Sequence, residues 1–137
     1  MEPFHFLVPI AAESFLDSRG NLGVSDFGDQ PRFAVHRFYY ITSVPEAVSR
    51  GAHGHKKLEQ IFYALKGSFR LTVTDGMRAD SLTLNELKDG FFVPAGLWRE
   101  VDSFSNDCVC LVLASLPYDP SDYIFDYEEF KAWRLLQ

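Results

Sequence analysis

Arg50-Gly51-Ala52-His53-Gly54-His55-Lys56-Lys57-Leu58-Glu59-Gln60 is the stretch on which the reading of this chain turns. His53 and His55 are two residues apart, so on an extended chain both imidazoles leave the same face. Arg50, Lys56 and Lys57 bracket them with positive charge. Gln60 to Leu65 reads as a strand, and Lys66-Gly67-Ser68 as the turn that ends it. Two imidazoles on a strand wall admit three uses: hydrogen bonding within the wall, metal ligation, or proton transfer.

The surrounding sequence is strand-like almost throughout. Phe4 to Ala11, Leu22 to Phe27, Arg32 to Val44, Phe69 to Thr74, Met77 to Leu84, Phe91 to Pro94, Trp98 to Phe104 and Cys108 to Ser115 are apolar or alternating runs. Turn residues separate them, at Asp17 to Asn21, Gly28 to Pro31, Asp75-Gly76 and Asn85 to Gly90. Short strands at this spacing predict an all-β sandwich or barrel. The longest strand puts Phe33, Val35, Arg37, Tyr39 and Ile41 on one face and Ala34, His36, Phe38, Tyr40 and Thr42 on the other. Both faces are largely apolar, and polar tips on an apolar wall suit a ligand cavity. The periodicity leaves open whether Tyr39 or Tyr40 faces that cavity, and whether Tyr39 is instead a core or interface residue. Pro117 to Asp122 reads as a loop. Asp126 and Glu129 fit a capping box opening a helix over 126–135. Residues 1–137 read as one domain, and its first strand, within residues 1–12, can pair with a neighbouring subunit as easily as with its own sheet.

Composition removes several function classes. The formal charge is -6, which disfavours a nucleic-acid partner. No apolar run reaches the length of a membrane span, and Met1-Glu2-Pro3-Phe4-His5 lacks the basic start of a signal peptide. Thirteen phenylalanines and six tyrosines suit strands with a thick aromatic interior. Cys108 and Cys110 share a strand face, but the extended backbone holds them too far apart for a good disulfide, so reduced core thiols and a cytoplasmic location are expected.

The spacing resembles that of the cupins, a jelly-roll family. Their first signature is matched by His53-x-His55, four residues, Gln60, six residues, Gly67, with glutamine where a carboxylate is usual. Reading Glu59 into that slot instead leaves seven residues before Gly67. Their second signature is matched by Pro94-Ala95-Gly96, two residues, then Arg99 in place of histidine. An amide removes charge from the ligand set, and an obligate cation repels a metal, so no metal and no cofactor are expected. Free imidazoles, with an unperturbed pKa of about 6.5, then suit general base work.

A closer resemblance covers the chain from about Asp17 to Phe130. Arg50 to Lys56, Tyr39-Tyr40-Ile41, Lys66-Gly67-Ser68, Asp75-Gly76, Trp98-Arg99-Glu100, Val112 to Ser115 with Tyr118-Asp119, Asp122-Tyr123-Ile124 and Tyr127 to Phe130 are similar to the nucleotide-sugar 3,4-ketoisomerases. The resemblance implies a metal-free cupin homodimer with exchanged N-terminal strands. It implies conversion of dTDP-4-keto-6-deoxyglucose to a 3-keto sugar, for deoxyaminosugars of O-antigens, S-layers or antibiotics. It makes His53 the base at C3, Tyr39 the relay, and His55 a positioning or assisting group. Arg19, Arg37, Arg50, Lys57, Gln60, Arg99 and Glu100 are the substrate-binding candidates, arginine being suited to phosphate through paired donors. For Arg19 a solvated turn, and for Arg99 an ion pair with Glu100 or Glu59, stand as rival readings. His5 and His36 carry no functional signal, and Trp98 and Trp133 read as packing residues. Rival functions are a nucleotide-sugar 3,5-epimerase, a metal cupin such as a dioxygenase, and a non-catalytic sugar-nucleotide binding module.

Overall fold

The computed structural model describes residues 4–137. Its strands are β1 (Val8–Ile10), β2 (Glu13–Asp17), β3 (Gly20–Val24), β4 (Arg37–Thr42), β5 (Arg50–His55), β6 (Gln60–Lys66), β7 (Ser68–Thr74), β8 (Ala79–Asn85), β9 (Gly90–Val93), β10 (Trp98–Asp102), β11 (Val109–Ala114) and β12 (Tyr123–Ile124). A 3-10 turn spans Pro120–Asp122, and one helix, α1 (Tyr127–Leu135), closes the chain. Two five-stranded sheets face each other, in the orders β1-β9-β6-β11-β4 and β12-β5-β10-β7-β8. Their pairings are antiparallel, as in a jelly roll, and the expected all-β cupin-type fold with a short terminal helix is what the chain adopts.

Alternation explains the layering. Phe62 and Ala64 of β6, Leu71 and Val73 of β7, and Cys110 and Val112 of β11 point between the sheets and are buried. On β4 the same rule turns Tyr39 and Ile41 inward, and leaves Phe38 and Tyr40 on the outer face, 64% and 65% exposed. Tyr40 therefore lies mostly open on the outer face. Both cysteines are free and buried.

Three expectations need correction. The strand expected over 32–44 is confined to Arg37–Thr42. Phe33 leaves the ladder to pack against Phe92 outside the first sheet, and Ser43 takes a φ of 56°, which ends the extended run. Glu13–Asp17 forms a strand that alternation does not announce. It pairs only with β3, and the hairpin stands away from the core with most of its side chains exposed. Pro117 to Asp122 is not simply a loop, since Asp119 caps the 3-10 turn through the Ser121 N–H and β12 follows it. The helix begins as expected, with the Asp126 carboxylate accepting from the Glu129 N–H at 2.9 Å.

Within this chain β1 pairs with β9, and the Asp80 carboxylate accepts the N–H groups of His5, Phe6 and Leu7 at 2.9, 2.7 and 3.0 Å. The exchange expected over 1–12 includes residues 1–3, which lie outside the described residues.

The helix sets the position of the histidine strand. Phe130 is fully buried against the back of Gly54, where a Cβ would lie 2.7 Å from its ring. Trp98 joins this contact, with ring centroids 5.8 Å from Phe130 and 5.2 Å from Tyr127. Gly54 is thus the residue between two imidazoles that lets α1 press the strand flat. Gly54→Ala is expected to lower unfolding stability by about 1–3 kcal/mol through overpacking. Adding Phe130→Ala should erase most of that increment, and a double-mutant cycle of thermal melts measures the coupling.

Candidate active site

Five strands aim side chains at one end of the space between the sheets. β5 supplies His53 and His55, whose rings meet edge to face at 4.8 Å. β10 runs beside it with Arg99 opposite His53 in register. β12 lies on its other side, with Tyr123 opposite His55. From the facing sheet β4 supplies Arg37 and Tyr39, and β6 begins with Gln60. The sequence places these groups on five separate segments, and only the sandwich brings them together.

His55 is 1% exposed, and its Nδ1 lies 2.9 Å from Asp122 Oδ2. A carboxylate only accepts, so Nδ1 carries the proton and donates, leaving Nε2 as a bare acceptor. That Nε2 is buried with no partner among the described residues. Asp122 is held in turn by the backbone N–H groups of Lys57 at 2.6 Å and Leu58 at 3.3 Å. Burial, then the charge of Arg99, pushes His55 down to about 2, and the same two causes push His53 down to about 4. Both imidazoles are neutral at pH 7, and each offers a lone pair.

Arg99 is 2% exposed and has no carboxylate within ion-pair distance among the described residues. Its Nη1 donates to Gln60 Oε1, its Nη2 to the Leu97 carbonyl at 2.9 Å, and its Nε has no partner. Burial lowers the guanidinium to about 10, with Tyr39 and Asp122 resisting, so it keeps its charge at pH 7. Gln60 Nε2 donates to Tyr39 Oη at 2.9 Å. Burial raises the Tyr39 phenol above its ordinary value, against the opposing pull of Arg99, and keeps it protonated.

The mouth is aromatic. Tyr123 stacks on Phe125 at 5.3 Å and 13°, and both rings approach His53, at 5.0 and 6.0 Å. The Arg37 guanidinium lies 5.6 Å from the Tyr39 ring and 5.8 Å from that of Tyr118, and its Nε donates to the Leu116 carbonyl at 3.2 Å.

The chain matches the family model described as FdtA, WxcM-like, C-terminal, over residues 8–134. The chain belongs to this family. A curated relative from Aneurinibacillus thermoaerophilus, a TDP-4-oxo-6-deoxy-alpha-D-glucose-3,4-oxoisomerase, is 40% identical over 121 residues, covering 88% of this chain and 87% of that one. Among solved structures, a 3,4-ketoisomerase from Helicobacter canadensis matches with a TM-score of 0.85 at 35% identity, covering 94% of this chain and 97% of its own. A variant of QdtA, a 3,4-ketoisomerase from Thermoanaerobacterium thermosaccharolyticum in complex with TDP-4-keto-6-deoxyglucose, matches at 0.88 with 32% identity and 98% coverage of both chains.

Other members of the candidate set fall elsewhere in this FdtA-family chain. Arg19 is at the exposed tip of the β2–β3 hairpin, paired with Asp17 at 2.6 Å. Arg50 is exposed at the start of β5, on the face opposite the histidines, beside the 44–49 loop. Lys57 offers Asp122 its N–H while its side chain is exposed. Glu100 follows Arg99 on β10 and so points outward, accepting from Trp98 Nε1 at 3.0 Å. It is not the ion-pair partner of Arg99. Gln60 is 1% exposed, with its amide engaged by Arg99 and Tyr39. Asp122 belongs to a segment that carries the family resemblance, but nothing in its turn-forming neighbourhood pairs it with a histidine 67 residues away.

The cupin metal position does not fit a divalent ion in this family member. No group of three or more His, Cys, Asp or Glu residues converges among the described residues. Arg99 occupies the space beside the imidazoles, and the Gln60 amide oxygen already accepts from it. The electrostatics have a direct test in imidazole NMR titration. His53 is expected to titrate near pH 4, far below about 6.5 for a free imidazole. Arg99→Met should raise that midpoint part of the way back, because burial, the larger cause, persists.

Proposed function

We propose that this protein is a TDP-sugar 3,4-ketoisomerase that moves the ketone of dTDP-4-keto-6-deoxy-D-glucose from C4 to C3. The observation that carries this reading is the convergence of a neutral His53, a protonated Tyr39 and a buried, carboxylate-free Arg99 at one end of the sandwich. The chain's relatives named as 3,4-ketoisomerases support it. In this reading His53 takes the proton from C3. The electron pair of that C–H bond forms the C3=C4 double bond, and the carbonyl pair moves to O4. The Arg99 cation stabilises the resulting enolate oxygen, where a fixed charge in a water-poor site is most effective. Tyr39 gives its proton to O4 and recovers one from the O3 hydroxyl. Returning the C3 proton to C4 leaves a ketone at C3 and a hydroxyl at C4. Atoms and electrons balance within the sugar.

His55 acts as an acceptor for a sugar hydroxyl through its bare Nε2, held at that angle by Asp122. Arg37, at the mouth, is the candidate for the diphosphate, and its position above two aromatic rings leaves donors free. Arg99 is too deep for that role and belongs to the reacting carbons. The C3 ketone suits a following amination, which places the reaction in deoxyaminosugar assembly for O-antigen, S-layer or antibiotic glycans. The free buried thiols suit a cytoplasmic enzyme.

NMR of the substrate incubated with enzyme in D2O tests the reaction. Loss of the C3 proton, appearance of a C3 ketone and an unchanged C5 proton are expected. Exchange at both C3 and C5 without ketone migration is the 3,5-epimerase outcome and rejects this reading. His53→Asn should reduce kcat by at least about 10³-fold with little change in substrate Kd, as for removal of a general base. Unchanged turnover in that variant rejects the assignment of the base.

The same reading includes a homodimer. Phe38, Tyr40 and Leu65 stand exposed on the outer face of the first sheet. A cavity of about 540 Å³ separates that face from the β2–β3 hairpin, with Val24, Tyr63, Leu111 and Leu113 in its wall. A second copy covers this apolar surface, and β1, on a sheet edge, is the element exchanged. Light scattering is expected to give twice the chain mass, and Phe38→Glu with Tyr40→Glu should give monomer.

A further inference from the structure

Gln60 has a cupin ligand's place in the sequence, yet in the structure it touches two functional side chains and little else that is polar. We propose that Gln60 is a positioning residue that fixes the direction of the Tyr39 hydroxyl proton, so that Tyr39 presents a donor to the substrate. The proposal rests on the isomerase reading above, and it deepens that reading by assigning what sets the phenol's role.

Arg99, Gln60 and Tyr39 form a chain of three groups. A guanidinium carries donors only, so the Gln60 atom facing Arg99 Nη1 is its carbonyl oxygen. That contact fixes which way round the amide lies. Gln60 Nε2 must then face Tyr39, and at 2.9 Å it donates to the phenol oxygen. A phenol oxygen that accepts from an amide keeps its own proton on another bearing. Among the described residues no other hydrogen bond engages the Tyr39 hydroxyl. Tyr39 is partly exposed, whereas Gln60 and Arg99 are closed off. The free O–H bearing is therefore the one toward bound sugar. The neutral amide has a second consequence, since it satisfies Arg99 without cancelling its charge. A carboxylate at this position would reverse both effects. It would accept the Tyr39 proton, turning the donor away from the sugar, and it would neutralise the cation.

Two near-isosteric variants separate this role from a structural one. Gln60→Glu keeps an oxygen on Arg99 Nη1, and Gln60→Met leaves that donor without a partner. A merely structural Gln60 would make Met the more damaging change. The proposal expects the opposite order in kcat: a loss of about a hundredfold or more for Glu and a smaller loss for Met. KM should stay within about threefold in both, since Gln60 does not touch substrate. The Tyr39 phenol, followed by phenolate absorbance as a difference against Tyr39→Phe in each background, should titrate about one pH unit or more higher in Gln60→Met, which has lost the donor. That titration needs no substrate, so it reads the Gln60–Tyr39 link even where the isomerisation itself is absent. A Tyr39 titration unmoved in Gln60→Met, a kcat lower for Met than for Glu, or a KM that rises while kcat holds would each overturn the assignment.

Discussion

A buried guanidinium without a carboxylate is the constraint around which the site is arranged. Arg99 is closed off from water, and its hydrogen bonds go to an amide and a backbone carbonyl. Such a cation is costly to bury, and the neutral partners that surround it return only part of that cost. Its charge lowers His53 and His55 and opposes the rise of Tyr39. The same residue thus reinforces burial in keeping two bases neutral, and it restores part of the acidity that burial takes from a phenol. A carboxylate beside it would remove all three effects.

The rest of the fold serves to hold that charge against the imidazoles. Arg99 and His53 are neighbours in strand register, and the helix presses the histidine strand into place through Phe130 and Gly54. Asp122 fixes the tautomer of His55 from a short turn that β12 ties back onto the same strand. The polar groups at the cavity end form two short chains, Asp122–His55 and Arg99–Gln60–Tyr39. Each terminates at an atom free for a ligand, one an acceptor and the other a hydroxyl.

The contrast with metal-binding cupins is a matter of two positions. Gln60 and Arg99 replace a carboxylate and an imidazole in an otherwise preserved spacing. A ligand set built for a dication becomes a site whose fixed positive charge is supplied by the protein itself. The site then suits chemistry in which an anion develops and a proton moves, with the charge already in place before reaction.

Much of this was legible in the residue order. Alternation and turn chemistry specified most strands of the sandwich, though not β12 or the bounds of β4, while the Asp126 cap specified the helix start and the His53-x-His55 spacing specified one shared face. Those are local properties, set by periods of two and by capping geometry within a few residues. Which of Tyr39 and Tyr40 turns inward was settled by the pairing of β4 with β11, because both faces of that strand are equally apolar. Asp122, the outward turn of Glu100, the burial of Gln60 and the exposed place of Arg19 emerged only in three dimensions. The physical reason is that hydrogen bonds between groups dozens of residues apart leave no periodic trace in a sequence, and they form only when the two sheets close on one another.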